Sequence, residues 1–337
     1  MEPDIPEKLT LHYAGQAGEG YGWGVANTNL RRQLAQHFTL TEGEADIVFM
    51  PLADHEFNSA TPARGRLNLA YTFFEFPLGP NAAANAAKYD VVFCGSTWCL
   101  NRMRERGITN GRVLIQGVDH EVFKPAPLPK SGFNIFSGGK FEFRKGQDLV
   151  IAAFREFIKT DSRAHLVCAW NNPWPQLIHS MKDSPFIKLE GRGSTQHEFF
   201  TSLLVANGIP RERFTILPPM NQHALAASIA GTHVGLFPNR CEGGTNLVLM
   251  EYAALGREII ANELTGHADV ADAITLRIEA KEDERHWAVQ KPEYIVGALK
   301  AAGSLVEPKP VRYSWADSAQ TIVSACKELV SRQSVSA

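Results

Sequence analysis

The chain has 337 residues, of which 44% are hydrophobic and 21% charged, with a formal net charge of −2. This is an ordinary soluble composition, long enough for two domains of about 100–200 residues each, and it offers no strongly basic face for nucleic acid. The five cysteines are odd in number, match no metal-binding spacing and read as reduced cytosolic thiols. The acidic, polar N-terminus has no secretory h-region, and no apolar run reaches the ~20 residues of a membrane span. The expected location is cytoplasmic, with peripheral membrane contact left open.

Residues 8–13 alternate as a first strand and lead into a loop holding Gly15, Gly18, Gly20, Gly22 and Gly24. Leu30, Leu34, Ala35 and Phe38 recur at helical spacing, which predicts a helix over 27–38. Strand, glycine loop and helix make a phosphate-compatible start. Gly20-x-Gly22-x-x-Val25 nevertheless lacks the third glycine of a dinucleotide fingerprint. Buried strands are expected at 45–50, 67–74 and 90–94, and helices at 82–88 and 97–106, the second closed by Gly107. A strand at 112–116 ends this half. Short apolar strands alternating with helices predict a parallel sheet covered on both faces.

Three prolines between Lys124 and Gly132 mark a semi-rigid linker and the expected domain boundary. The alternation then restarts. A strand at 133–137 and a glycine-flanked loop at 138–146 precede an amphipathic helix at 147–157. Strands are expected at 165–170, 214–217 and 233–238, with a helix at 225–229. Further on come strands at 258–261 and 276–278 and helices at 292–302 and 313–332.

The most informative stretch runs from Arg240 to Gly256. It leaves a buried strand, passes through Gly243 and Gly244, and enters an apolar helix. A glycine-rich turn into a helix N-terminus suits an anion, because the first helical N–H groups have no internal partner and the macrodipole favours negative charge. Two carboxylates, Glu242 and Glu251, frame that turn, and sugar hydroxyls are natural donors to them. Lys140 and Lys145 stand five apart around the 138–146 loop with Arg144 beside them. Cations there can neutralise a diphosphate, since ligands of doubly wound sheets gather at the strands' C-terminal ends. The chain has no Asp-x-Asp, no G-x-S-x-G and no H-x-x-x-H. The residues therefore point to a phosphorylated, hydroxyl-rich ligand such as a nucleotide sugar.

Together these motifs resemble the family 4 glycosyltransferases, retaining enzymes of GT-B fold. Gly138-Gly-Lys140-Phe-Glu-Phe-Arg-Lys145-Gly is similar to the family's phosphate-binding G-[RK]-x-x-x-x-K-G, and Gly117-Val-Asp-His-Glu-Val-Phe-Lys-Pro125 to its G-V-D-x-x-x-F-x-P. Gly20-Tyr-Gly22 looks like its N-terminal glycine loop, and the Ser314-Trp315 helix like the one that crosses back onto the first domain. The resemblance implies two Rossmann-like parallel-sheet domains facing a cleft: an acceptor domain at 1–128, a nucleotide-sugar donor domain at 129–311, and a helix at 312–337 packing back on the first. It implies catalytic roles for Lys140, Lys145 and Glu242, with Glu242 on the donor sugar and Glu251 on the ribose. Gly20, Gly22, Gly139, Arg144, Gly243, Gly244, Thr245, Asn246 and Leu247 would line the donor. His55 and Glu75, with the aromatics Tyr21 and Trp23, are acceptor-side candidates.

Transfer would need no metal and no cofactor beyond the nucleotide-sugar co-substrate. The acceptor would be a glycan, a lipid-linked group or a small molecule. In one place the sequence departs from the family: eight residues, not seven, separate Glu242 from Glu251. That keeps two alternatives open, a sugar-nucleotide-binding protein or partner subunit without activity, and a GT-B nucleotide-sugar epimerase.

Overall fold

In a computed structural model of the protein, residues 9–18, 21–59, 61–303, 311 and 313–336 are described. They fall into two units, one from Met1–Gly117, Gly243–Thr245 and Tyr313–Ala337, the other from Val118–Glu242 and Asn246–Arg312.

The first unit begins with β1 (Thr10–Tyr13), α1 (Gly22–Leu34), β2 (Thr39–Thr41), β3 (Ile47–Leu52) and β4 (Leu67–Thr72). It continues through α2 (Ala82–Ala86), β5 (Val91–Cys94), α3 (Thr97–Glu105) and β6 (Gly111–Val113). The strands form a parallel sheet in the order β2-β1-β3-β4-β5-β6. β3, β4 and β5 are almost wholly buried, as strands covered on both faces must be, and this is why they read as unbroken apolar runs. Val48, Met50, Ala70, Val92 and Cys94 pack with Cys99 and Met103 of α3 in one core. Ser96 caps α3, its Oγ accepting from the Cys99 N–H at 3.2 Å. The sheet order reverses between β1 and β3, so the loop leaving β1 stands at the switch point, where ligands of open α/β sheets bind.

The second unit runs β7 (Phe133–Gly139), α4 (Gln147–Phe157), β8 (Ala164–Trp170), α5 (Gln196–Ala206), β9 (Phe214–Ile216), α6 (Gln222–Ile229) and β10 (Val234–Phe237). It continues through α7 (Leu247–Ala254), β11 (Glu258–Ala261), β12 (Leu276–Arg277), the hairpin β13 (Ala280–Glu282) and β14 (Ala288–Gln290), and α8 (Pro292–Ala301). Its parallel sheet has the order β12-β11-β10-β7-β8-β9. Read from the β9 edge this is the doubly wound order, with its switch point between β7 and β10. Leu149, Phe154, Leu166, Trp170, Phe200, Phe214 and Ile260 fill the core, each fully buried side chain contributing roughly 2 kcal/mol of hydrophobic stabilisation.

The last helix, α9 (Trp315–Ser336), belongs to the first unit and packs on α1, as the sequence leads one to expect. Ser318 Oγ donates to the Ile115 carbonyl at 2.7 Å, and Arg112 pairs with Glu328 at 2.7 Å. The helix expected from residue 27 instead begins at Gly22. Gly24 lies so close to the Tyr21 ring and the Gly18 backbone that a Cβ there would clash with both. Tertiary packing thus overrides the poor helix propensity of glycine. Among the described residues no helix is long and apolar enough to cross a membrane.

Candidate functional site

Two loops meet at the switch point of the second unit. The first leaves β7. Gly139 has φ +112°, and Phe143–Lys145 form one turn of 3-10 helix closed by Gly146, which caps α4 with φ +74°. A Cβ on Gly146 would run into the Pro238 carbonyl, so glycine is required there both by backbone conformation and by close approach. The second loop leaves β10 and carries residues 238–242. The N–H groups of Arg240 and Cys241 both donate to the Arg144 carbonyl, at 2.7 and 3.2 Å.

The side chains tie the loops more firmly. Arg240 donates two bonds to Asp148 on the first turn of α4, at 2.8 and 2.7 Å. It also donates to the Phe143 carbonyl at 2.6 Å and stacks over the Phe143 ring at 3.7 Å. Arg240 and Asp148 are both buried, and this planar two-pronged pairing is the strongest form of carboxylate recognition.

Inside the clamp, the three predicted cations converge. Lys145 Nζ lies 2.5 Å from Glu242 Oε1. Arg144 sits between Glu142, at 2.7 Å, and Glu242, at 3.4 Å. Lys140 reaches Glu142 at 3.3 Å and stands 5.3 Å from the centre of the Trp174 ring. Asn239 also donates to Glu242 Oε1. Three cations against two carboxylates leave the cluster with one net positive charge at neutral pH. Burial by itself would raise the Glu242 pKa, but Lys145 and Arg144 outweigh it and hold the carboxyl down at about 2.

Glu251 is in the opposite condition. It is buried on α7, its Oε1 accepting from Gln222 Nε2 at 2.7 Å, with no cation to offset burial, and its pKa is pushed up to about 8. Between the two glutamates the chain turns through Gly243–Thr245 to Asn246, whose φ of +62° is left-handed. Asn246 caps α7, its side chain accepting from the Leu249 N–H at 3.4 Å; Leu247 is the first helical residue. Gly243–Thr245 group with the first unit, where Ser96 Oγ donates to the Gly243 carbonyl at 2.7 Å and Cys99 Sγ at 3.0 Å.

Lys140, Arg144, Lys145 and Glu242 are therefore brought together, with Gly139 at the base of their loop. Glu251 stands apart from that cluster, on α7 against α6. In the first unit, Gly22 opens α1 and is exposed, and a Cβ there would meet no atom within 4 Å. Gly20 lies outside the described residues. Half-buried His55 follows β3 and half-buried Glu75 follows β4, at the same end of the sheet; the His55 ring lies 5.8 Å from that of exposed Phe76. Trp23 packs on Phe73 at 4.1 Å, and Tyr21 is the N-cap residue of α1. Among the described residues no group of three or more His, Cys, Asp or Glu is placed to hold a metal ion.

Sequence reasoning does not single out Glu142, Asn239, Asp148, Arg240, Gln222 or the role of His267. The pairing of Asp148 with Arg240 spans 92 residues of chain, that of Gln222 with Glu251 29 and that of His267 with Asn246 21, and these leave no local signature. Glu142 and Asn239 do have neighbourhood signals, Glu142 alternating with Lys140 and Arg144 in the same loop and Asn239 standing three residues before Glu242.

No known family model matches the chain, and no curated protein matches it in sequence. Solved structures do match in shape. AviGT4, a glycosyltransferase involved in avilamycin A biosynthesis, aligns over 96% of this chain and 98% of its own, at 14% identity and a TM-score of 0.62. Anabaena Alr3699/HepE, in complex with UDP and glucose, aligns over 97% and 100%, at 10% identity and a TM-score of 0.61. The lipopolysaccharide outer core galactosyltransferase WaaB aligns over 95% and 99%, at 12% identity and a TM-score of 0.57. At such identities the likeness is one of fold, and the chain has the GT-B fold of these proteins over nearly its whole length.

Proposed function

We propose that the chain is a retaining glycosyltransferase that moves a sugar from a nucleoside diphosphate to an acceptor hydroxyl, without a catalytic metal. The observation that carries this reading is the convergence of Lys140, Arg144 and Lys145 around the buried carboxylates Glu142 and Glu242 where β7 and β10 end, with Glu242 held ionised by Lys145 and Arg144. A diphosphate at that switch point meets net positive charge and the N-terminus of α7, both of which favour the charge that grows on the leaving group. Lys140 and Lys145 neutralise it. Glu242 faces the donor sugar, and Glu251 binds the ribose hydroxyls. The acceptor hydroxyl attacks from the face the diphosphate leaves, and the diphosphate takes its proton; the protein's part is orientation and charge. The fold shared with AviGT4, and the UDP and glucose held by HepE, support the donor class. The protein would act in the cytoplasm, where nucleotide sugars are its donors, on a glycan, lipid-linked or small-molecule acceptor.

A second reading, a sugar-nucleotide-binding protein without transfer, is favoured by one observation. The Glu242 carboxylate already accepts from Lys145, Arg144 and Asn239, leaving it little capacity for a sugar hydroxyl. Thermal-shift titration with UDP, GDP and ADP, followed by donor-consumption assays with their hexose conjugates, separates the two. Stabilisation by one diphosphate with turnover supports transfer; stabilisation without turnover on any acceptor or water supports the binder. A chain stabilised by none of them is neither.

A further inference from the structure

The turn at 242–246, where the chain departs from its family's glutamate spacing, is pinned at both ends by one short segment, residues 265–267. At one end, the Glu242 N–H donates to Thr265 Oγ1 at 3.1 Å and the Glu242 carbonyl accepts from the Gly266 N–H at 2.9 Å. At the other, Asn246 Nδ2 meets His267 Nε2 at 3.1 Å. We propose that residues 265–267 are the template that sets the shape of this turn, and that His267, acting through Asn246, is a positioning residue for the diphosphate end of the donor. The proposal rests on the function proposed above and adds to it residues that do not touch the donor.

The hydrogen bonds admit one arrangement. His267 Nδ1 lies 3.2 Å from the Asn262 carbonyl, which can only accept, so Nδ1 carries the proton. Nε2 is then the acceptor, and it is the Asn246 amide that donates. This leaves Asn246 Oδ1 to take the Leu249 N–H and cap α7. The assignment of amide and tautomer is thus mutually consistent through three bonds. His267 is completely buried and stays neutral: burial lowers its pKa to about 4 in spite of nearby Glu242. A protonated ring would set two donors face to face at Asn246.

Two residues on this small perimeter, Asn246 at φ +62° and Thr265 at φ +54°, are left-handed without being glycine. Asparagine tolerates that region; for a β-branched threonine it is rare, and each such residue costs of the order of 1–3 kcal/mol. Such backbone persists only where its surroundings over-determine it, and here the bonds to Glu242 and Asn246 do so. Gly243 and Gly244 bring no side chains to the turn; Ser96 and Cys99 hold the Gly243 carbonyl in its middle, and residues 265–267 hold its two ends. The amides that follow Asn246 open α7, and they can meet a phosphate only if the cap holds them in place.

The test compares wild type, Asn246→Gly, His267→Phe and His267→Gln. Asn246→Gly keeps the left-handed turn accessible and removes the link. His267→Phe keeps the ring and removes both polar contacts, and His267→Gln can set an amide oxygen near the place of Nε2. Calorimetry measures UDP, GDP and ADP against their nucleosides. Amide hydrogen exchange follows a peptide covering residues 240–251, with no ligand added. The expected result is a loss of diphosphate affinity of about tenfold or more in Asn246→Gly and His267→Phe, nucleoside affinity within about twofold, and recovery in His267→Gln to within about threefold. Exchange in 240–251 should quicken in the first two variants and not in the third. Unchanged exchange overturns the template whether or not a diphosphate binds. A parallel loss of diphosphate and nucleoside overturns the positioning role. A wild type that binds no diphosphate while its variants show the exchange pattern overturns the functional reading and leaves the template standing.

Discussion

Replacing Glu251 by glutamine should stabilise the protein at neutral pH, although it removes an ionisable group from the candidate site. Glu251 is buried beside Gln222 with no cation to offset its burial, which pushes its pKa up to about 8 from an ordinary 4.5. The folded state therefore keeps a proton between those two values that the unfolded chain has given up. Stability due to this group is fully present below pH 4.5 and is lost as pH rises through 8. At pH 7 the gap from the unfolded pKa is about 2.5 units, worth roughly 3 kcal/mol at 1.36 kcal/mol per unit. Glutamine carries no such burden. Its amide oxygen can still accept from Gln222 Nε2, and its volume is the same. Glu251→Gln should thus match wild type near pH 4.5 and exceed it by up to about 3 kcal/mol at pH 7. Urea denaturation followed by tryptophan fluorescence at pH 4.5, 6 and 7.5 reads this directly, with the transition of the second unit as the one compared. Equal stability of the two proteins at all three values would refute the protonated, buried state assigned to Glu251.

Three other outcomes follow from the same site. Lys145→Ala should weaken nucleoside diphosphate binding by at least about tenfold, since it removes the cation closest to Glu242; calorimetry of UDP, GDP and ADP in a variant of native circular dichroism checks it. Asp148→Asn should destabilise the second unit by about 3–5 kcal/mol, because Arg240 keeps its buried charge and loses its partner; urea midpoints measure this, and a shift under 1 kcal/mol would contradict it. Glu242, held at about 2 by Lys145 and Arg144 against an ordinary 4.5, contributes stability that is present above pH 4.5 and lost as pH falls towards 2. Acid titration of the fold should therefore be shallower between those values in Glu242→Gln than in wild type.

Much of the fold is legible because burial on both faces writes itself into the sequence. The apolar runs at 45–50 and 90–94 become β3 and β5, and the helix expected at 147–157 is α4 to the residue. Elements with weak burial are harder to read. β2 is an edge strand of three residues, none of them buried, and β13 of the hairpin likewise buries none of its three. α5 carries a readable sign, a capping box in which Thr195 and Glu198 satisfy each other's backbone N–H groups ahead of Phe199, Phe200, Leu203 and Leu204; the longer 165–214 interval hides it among polar residues. In the site, the motifs name Lys140, Lys145 and Glu242 as residues of one locus. What they cannot name is the bonding that organises it, since Arg240 finds Asp148 from 92 residues away and Asn246 finds His267 from 21.

The two glutamates that frame the turn show why that bonding matters for function. By spacing alone they are alike, two carboxylates flanking a glycine turn. In the fold their environments drive them apart, Glu242 to about 2 among cations and Glu251 to about 8 without one, and such a divergence is how one site assigns different tasks to one residue type. On the proposed function, Glu242 is a fixed anion that sets the local field and orders Lys145 and Arg144. Glu251 at neutral pH is a carboxylic acid, able to donate as well as accept, whose ionisation a ribose diol donating to it would favour. Diphosphate binding should then release more protons at pH 7 in wild type than in Glu251→Gln, as read by calorimetry in two buffers of different ionisation enthalpy. The eight residues between them keep this division. α7 begins at Leu247, so Glu251 is placed against Gln222 by the helix, while the turn before it is held through Asn246 and the segment that bonds it.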